Sequence, residues 1–186
     1  MNISTDKNSQ NTPTSTTYPS SGEMAVGIIK LYQSRCFYIT GDDIISAAND
    51  RRIEDLSTKT HTPDIIIVAV GFNDYGSGKN IANFEKSYKL MLDKLTTRYP
   101  KAEIICGTLA ESFVSERSTY LFPLTPGNNK LADFNNVIRK VCKSKDIRVA
   151  DIAGKENYET LDGVHPTVTG HNTLANLWID CLKSKI

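Results

Sequence analysis

The sequence predicts an α/β domain with a parallel sheet, and three observations lead to this fold class. First, short apolar runs bounded by turn residues alternate along the chain with amphipathic runs of helical period. Second, residues 64–70 (DIIIVAV) are apolar on both faces, which is typical of a strand covered by helices on both sides. Third, residues 81–99 carry a stripe of large apolar side chains at helical spacing, and Pro100 ends the run.

The first half of the chain supplies two more helices and another strand. Residues 22–33 (GEMAVGIIKLYQ) place their large apolar side chains on one face at helical spacing, so we expect a helix. Residues 36–40 (CFYIT) are aromatic and β-branched and stop at Gly41, as a short strand would. Residues 49–56 are expected to form a short helix with two inward apolar side chains.

The second half continues the alternation of strands and helices. Residues 103–108 form another strand that is apolar on both faces, and 147–151 form a further strand. Helices are expected at 130–144 and 167–184. Between the strand at 103–108 and the helix at 130–144, residues 110–129 are rich in Ser, Pro, Gly and Asn, and so long a loop in a compact domain is usually functional.

Composition excludes several classes of protein. The chain has 186 residues, of which 39% are hydrophobic, enough for the core of one domain. The formal net charge is only +1, whereas a nucleic-acid-binding surface needs a basic excess. No run approaches the ~18 apolar residues of a membrane span. The first ten residues lack the pattern of a secretory signal, which favours a cytoplasmic location.

Residues 1–21 differ from the remainder of the chain. They are almost all Ser, Thr, Asn and Pro, so we expect a polar leader without fixed structure and a domain spanning 22–186.

The cysteines predict neither a metal site nor a disulfide. They are widely spaced, with no C-x-x-C pair and no histidine at ligand spacing. Free thiols in a reducing compartment are the expected state. The four are Cys36, Cys106, Cys142 and Cys181.

Two turns at predicted carboxyl ends of strands, where parallel sheets bind ligands, are rich in chemically active residues. GFND (71–74) follows the most apolar strand, and DGVHP (162–166) precedes the last helix. Gly163 allows a turn in which the Asp162 carboxylate reaches the ring of His165, the contact that orients a general base. Each motif has a simpler interpretation: GFND as a turn former, and DGVHP as a helix N-terminal capping region.

Together the two motifs resemble those of the SGNH hydrolases, also called GDSL-type lipases and esterases. The pair GxND and DGxHP, about ninety residues apart, is close to diagnostic of that family, and residues 46–75 and 17–22 are similar to further tracts of a bacterial subgroup. The resemblance implies a flavodoxin-like, three-layer doubly wound sandwich with a mainly parallel sheet. It also implies serine-type hydrolysis of an acyl or acetyl ester of a small molecule, without a cofactor or metal.

The resemblance assigns roles to four residues. His165 would be the general base and Asp162 its partner. Asn73 would donate its side-chain amide to the oxyanion, and Gly41 its backbone N–H. Such preorganised donors stabilise the tetrahedral intermediate by about 3–4 kcal/mol each. Asp74 is expected to brace the loop rather than react.

The nucleophile of this family is a serine in a GDS motif, and the chain contains no GDS. Aligning the start, Met1-Asn2-Ile3-Ser4-Thr5, with G-D-S-I-S-T places Asn2 at the serine position, and a carboxamide cannot attack a carbonyl. Ser4, two residues on, is a weaker candidate, so the nucleophile is left unknown.

The apolar strand that would precede the nucleophile is also absent. In the family that strand lies between the strands predicted here at 36–40 and 64–70, and removing it would leave a gap of about 9.6 Å. Residues 1–21 or another chain could fill the gap, which would imply a homo-oligomer in the second case. Otherwise the two strands close up, or the sheet is compromised.

Three functional hypotheses follow. The chain is an SGNH-type ester hydrolase, a non-catalytic SGNH-like relative that binds a ligand, or the N-terminally truncated product of an active esterase. In the last case the argument for a cytoplasmic location fails, and a secreted protein is expected.

Overall fold

The computed structural model describes residues 36–40, 43–57 and 62–183. The predicted helix at 22–33, the polar leader, Asn2, Ser4 and Gly41 lie outside these residues. Within the described part, the strands are β1 (Cys36–Thr40), β2 (Ile65–Ala69), β3 (Glu103–Gly107), β4 (Ser112–Val114), β5 (Arg148–Ala150) and β6 (Tyr158–Thr160). The helices are α1 (Ile44–Ala47), α2 (Asp50–Glu54), α3 (Phe72–Gly76), α4 (Ile81–Arg98), α5 (Leu131–Ser144) and α6 (Val168–Lys183).

The main sheet has four parallel strands in the order β1-β2-β3-β5. β1 pairs directly with β2 over five residues, from Cys36 opposite Ile65 to Thr40 opposite Ala69. Of the possibilities for the missing strand, the structure therefore has the one in which its two neighbours close up. Their backbone groups are paired with each other, so no gap remains between them.

Helices cover both faces of the sheet, as the two-sided apolar strands predict. On one face, Ile66 and Val68 of β2 pack in a core with α1, α2, α4 and α5. On the other face, Ile65 and Ile67 pack with Trp178 of α6. The predicted α4 stripe is confirmed, and all five of its members are buried: Phe84, Tyr88, Met91, Leu92 and Leu95.

A second, two-stranded sheet was not expected from the sequence. β4 lies inside the region predicted as a continuous loop (110–129), and it pairs in parallel with β6, with Ser112 opposite Tyr158. β6 leads directly into the DGVHP turn, and an isolated bridge joins Thr160 to Pro166. This small sheet therefore supports the predicted base.

The simpler interpretation of GFND, as a turn former, does not describe its structure. Phe72–Gly76 is a short helix, α3, and Gly71 before it has φ +126°. A side chain at Gly71 would be strained in that conformation, and its Cβ would lie 3.1 Å from the Phe84 ring. None of the helices in the described part is long and apolar enough to cross a membrane.

Candidate active site

The predicted carboxylate–imidazole pair is formed. Asp162 Oδ2 lies 2.8 Å from Nδ1 of His165. The other oxygen, Oδ1, accepts the backbone N–H groups of Val164 (3.0 Å) and His165 (2.9 Å). Gly163 has φ +97°, the turn conformation that this arrangement requires. The Asp162 side chain is 14% exposed and the His165 side chain 55%, so the ring faces solvent from a partly buried anchor.

This geometry fixes which ring nitrogen can act as a base. Partial burial raises the pKa of Asp162. The hydrogen bonds that the carboxylate accepts from the His165 backbone N–H, the His165 ring and the Val164 backbone N–H have a larger, opposite effect, so the pKa is lowered overall. An ionised carboxylate only accepts hydrogen bonds, so Nδ1 of His165 carries the proton. The lone pair is then on Nε2, which has no hydrogen-bond partner among the described residues.

The simpler interpretation of DGVHP, as a capping region for the last helix, does not account for Asp162. The hydroxyl of Thr167 accepts the N–H of Gly170, and the Thr167 carbonyl accepts that of His171. Thr167 therefore caps α6, and both Asp162 oxygens are used within the turn.

Asn73, the predicted oxyanion donor, is exposed on α3 at the carboxyl end of β2. Gly41, the second predicted donor, lies outside the described residues. The catalytic roles of Asn73, Gly41, Asp162 and His165 therefore stay predictions.

Asp74 is fully buried and connects α3 to the segment that follows Gly41. Its Oδ2 accepts the N–H of Ile44 (2.9 Å), and its Oδ1 lies 2.7 Å from Nζ of Lys79. Lys79 also lies 3.8 Å from Asp43, whose side chain caps α1. Burial raises the pKa of Asp74, although Lys79 and the Ile44 N–H oppose the increase. These contacts are those expected of a brace.

A contact to His165 was missed by sequence reasoning. The Phe122 ring meets the imidazole edge-on, with centroids 5.4 Å apart and planes at 77°. The backbone N–H of Phe122 donates to the Asp162 carbonyl (2.8 Å). The available signal was the apolar run Tyr120-Leu121-Phe122 within an otherwise polar loop.

Hydroxyl groups close to the DGVHP turn are used in structural hydrogen bonds. Ser112 donates to the Gly163 carbonyl, Thr160 to that of Phe113, and Thr167 to Glu159. None of these three hydroxyl groups is hydrogen-bonded to His165.

The described part of the chain holds no cluster of three or more His, Cys, Asp or Glu side chains that could bind a metal ion. Cys106 and Cys142 are free and buried, and Cys181 is partly exposed. Burial raises the pKa of the Cys106 thiol well above its usual range, which keeps it protonated.

Comparison with known proteins decides the family. The model of the GDSL-like lipase/acylhydrolase family matches residues 29–172. The chain belongs to this family. The match covers both the GFND and the DGVHP motifs, and the α/β architecture is that of SGNH/GDSL hydrolases.

Individual relatives of this GDSL-family chain are esterases. A multidomain esterase of Ruminococcus flavefaciens is 28% identical over 128 residues, a match that covers 66% of this chain but only 16% of the esterase. A carbohydrate esterase family 3 structure from Talaromyces cellulolyticus superposes with a TM-score of 0.58 at 20% identity, covering 78% of this chain and 69% of that one. The acetyl xylan esterase AlAXEase gives 0.51 at 18% identity, covering 79% and 99%. At these identities the solved structures establish the fold.

Proposed function

We propose that the protein is a serine-type carboxylic ester hydrolase in which His165 is the general base. The observation that carries this proposal is the Asp162–His165 pair, with its 2.8 Å contact at Nδ1 and an unoccupied Nε2 directed away from the carboxylate. Family membership adds the reaction class. An oriented, neutral imidazole is the group that activates a hydroxyl in such enzymes.

In the proposed reaction, a serine oxygen attacks the ester carbonyl carbon while Nε2 of His165 takes the hydroxyl proton. The carbonyl oxygen becomes an anion, which the amide of Asn73 and the backbone N–H of Gly41 stabilise. The bond to the alcohol then breaks, and His165 returns the proton to the departing oxygen. Water repeats the sequence on the acyl-enzyme, which releases the acid and restores the serine.

The serine itself is the open part of the proposal. Ser4 is the candidate within the chain, because Asn2 occupies the expected position and cannot attack. We propose an acetyl ester of a carbohydrate as the first substrate to test, since two structural relatives are a carbohydrate esterase and an acetyl xylan esterase.

A second candidate function is a non-catalytic relative that retains the ligand pocket. One observation favours it: β1 and β2 pair directly over five residues. The family places the strand that carries its serine between these two, so the usual route for the nucleophile is closed here.

Hydrolysis distinguishes the two candidates. Purified protein is assayed with p-nitrophenyl acetate and acetylated xylan, and it is separately treated with an active-serine phosphonate and examined by mass spectrometry. For the hydrolase we expect turnover, a single serine adduct, and a loss of about 10²–10⁴-fold in His165→Ala. The matched control is His171→Ala, on α6.

Two results would contradict the hydrolase. Turnover that is equal in the wild type and His165→Ala would refute the assignment of the base. Absence of both turnover and adduct, with a folded protein, would favour the non-catalytic relative.

A further inference from the structure

Residues 120–129, which we call the strap, contact both the DGVHP turn and the segment that begins with α3. At one end, the N–H of Phe122 donates to the Asp162 carbonyl at 2.8 Å. The Phe122 ring also lies edge-on to His165, with centroids 5.4 Å apart. The strap is thus fastened to the turn that carries the predicted base.

Further along, the strap is fastened to α3 and the turn after it. The N–H of Thr125 donates to the Gly76 carbonyl at 2.8 Å. The Asn129 amide donates to the Lys79 carbonyl at 3.4 Å. Gly76, Lys79 and Asn73 belong to one continuous stretch, so this end of the strap holds the segment that carries the predicted oxyanion donor.

The backbones of the two segments pack closely at the second attachment. A Cβ at Gly78, where φ is +67°, would lie 2.8 Å from both the Thr125 carbonyl oxygen and the Gly127 nitrogen. A Cβ at Gly76 would lie 2.6 Å from the Leu124 side chain. The two segments therefore touch through their backbones, with no room for a side chain between them.

Burial does not explain why the strap lies where it does. Tyr120, Leu121 and Phe122 are 61%, 66% and 43% exposed. The hydrogen bonds and close contacts at its two attachments, rather than an apolar core beneath the segment, hold the strap against the DGVHP turn and α3.

We propose that the strap sets the distance between the DGVHP turn and α3, and that Phe122 is a positioning residue for His165. Asp162 holds the ring at Nδ1, and Phe122 restricts its rotation from the side. Misplacing a catalytic group by about 1 Å can cost about 10²-fold in rate. A fixed distance between the DGVHP turn and α3 would therefore preserve the rate by keeping His165 and Asn73 in place. The proposal rests on the proposed function in treating His165 as the base.

The test observes the His165 imidazole directly by NMR and does not depend on ester hydrolysis. With histidine-selective ¹⁵N labelling, the wild type should show a protonated Nδ1, a downfield Nδ1–H signal and an NOE between the Phe122 and His165 rings. Phe122→Ala should abolish the NOE and broaden the Nδ1–H signal through exchange between tautomers. Phe122→Tyr, which keeps the ring, should restore both.

Gly78→Ala tests whether the strap sets the distance between the DGVHP turn and α3, because it displaces the strap at its second attachment without contacting His165. We expect the ring NOE to weaken at least about twofold, as a shift of a few tenths of an ångström in the strap is transmitted to Phe122. The signals of His171 serve as an internal control, and Leu90→Ala, an exposed apolar truncation on α4, serves as the matched variant.

Each outcome decides the proposal. Unchanged His165 signals in Phe122→Ala would refute the positioning role of Phe122. Unchanged His165 signals in Gly78→Ala would refute the role of the strap in setting the distance between the DGVHP turn and α3. Parallel changes at His171 would mean general disruption and would also count against it. If the ring responds as expected while no ester is hydrolysed, the proposed function fails and the positioning role stands.

Discussion

Replacing Lys79 with methionine isolates the electrostatic support of the Asp74 brace. The substitution keeps the length and most of the volume of the side chain but removes the charge that lies 2.7 Å from the buried carboxylate. Asp74 has no exposed surface, whereas the Lys79 side chain is 21% exposed. Methionine therefore leaves a buried carboxylate that still accepts the hydrogen bond from the Ile44 N–H but has lost its neighbouring positive charge.

The expected loss in the free energy of unfolding follows from the burial of Asp74. Breaking a buried pair by removing one partner costs about 3–5 kcal/mol, and the partial exposure of Lys79 favours the lower end, about 3 kcal/mol at pH 7. The variant should remain folded, because a domain of this size has about 5–15 kcal/mol of stability.

The pH dependence has a definite sign. Burial already raises the pKa of Asp74, and loss of Lys79 raises it further. Between the unfolded pKa, about 3.9, and the raised folded pKa, only the folded state binds the proton, so stability falls as pH rises through that window. The penalty in Lys79→Met should therefore be greatest at neutral pH and smaller at pH 4.5.

Urea unfolding of wild type and variant at pH 7 and pH 4.5 measures both quantities. Lys89→Met, an exposed lysine on α4, is the matched control and should change the free energy of unfolding by no more than about 0.5 kcal/mol. A loss below about 1 kcal/mol at pH 7, or an equal loss at both pH values, would refute the reasoning.

Three further predictions concern stability, each measured by urea or thermal unfolding. Asn135→Ala should cost about 1–3 kcal/mol, because Asn135 pairs with both the buried N–H (2.6 Å) and the carbonyl (3.0 Å) of Leu109; a neutral result would mean that water replaces it. Gly170→Ala should cost about 1–3 kcal/mol, since the added Cβ would lie 1.9 Å from the Glu159 carbonyl oxygen and α6 must move; an unchanged Tm would contradict this. Asp151→Asn should cost at most about 1 kcal/mol at pH 7 and progressively less as pH falls below the unfolded pKa of about 3.9, because a hydrogen bond from an arginine of α5 lowers the Asp151 pKa and that contribution is lost as pH falls; a pH-independent cost would be inconsistent.

The main sheet and its long helices could be predicted because their physical cause lies in local sequence. The run at 64–70 is apolar at every position that a doubly covered strand buries, and the α4 stripe repeats at helical spacing. The Asp162–His165 contact was predictable for a similar reason: three residues with an intervening glycine determine the reach of the carboxylate.

The small sheet and the strap could not be predicted in the same way. β4 and β6 have three residues each and no resolvable period, and they pair across more than forty positions of chain. The Phe122–His165 contact likewise joins residues that only the tertiary structure brings together. Their stabilisation comes from non-local pairing, which a pattern within a window of residues does not record.

The direct pairing of β1 with β2 has a consequence for any attempt to insert a serine-bearing strand between them. A grafted or added peptide bearing a serine could not simply enter the sheet, because it would first have to displace a ladder that runs from Cys36–Ile65 to Thr40–Ala69. Reconstitution would thus be a competition between two pairings, not the filling of a vacancy. An engineer would gain more by weakening the ladder of β1 than by strengthening the incoming peptide.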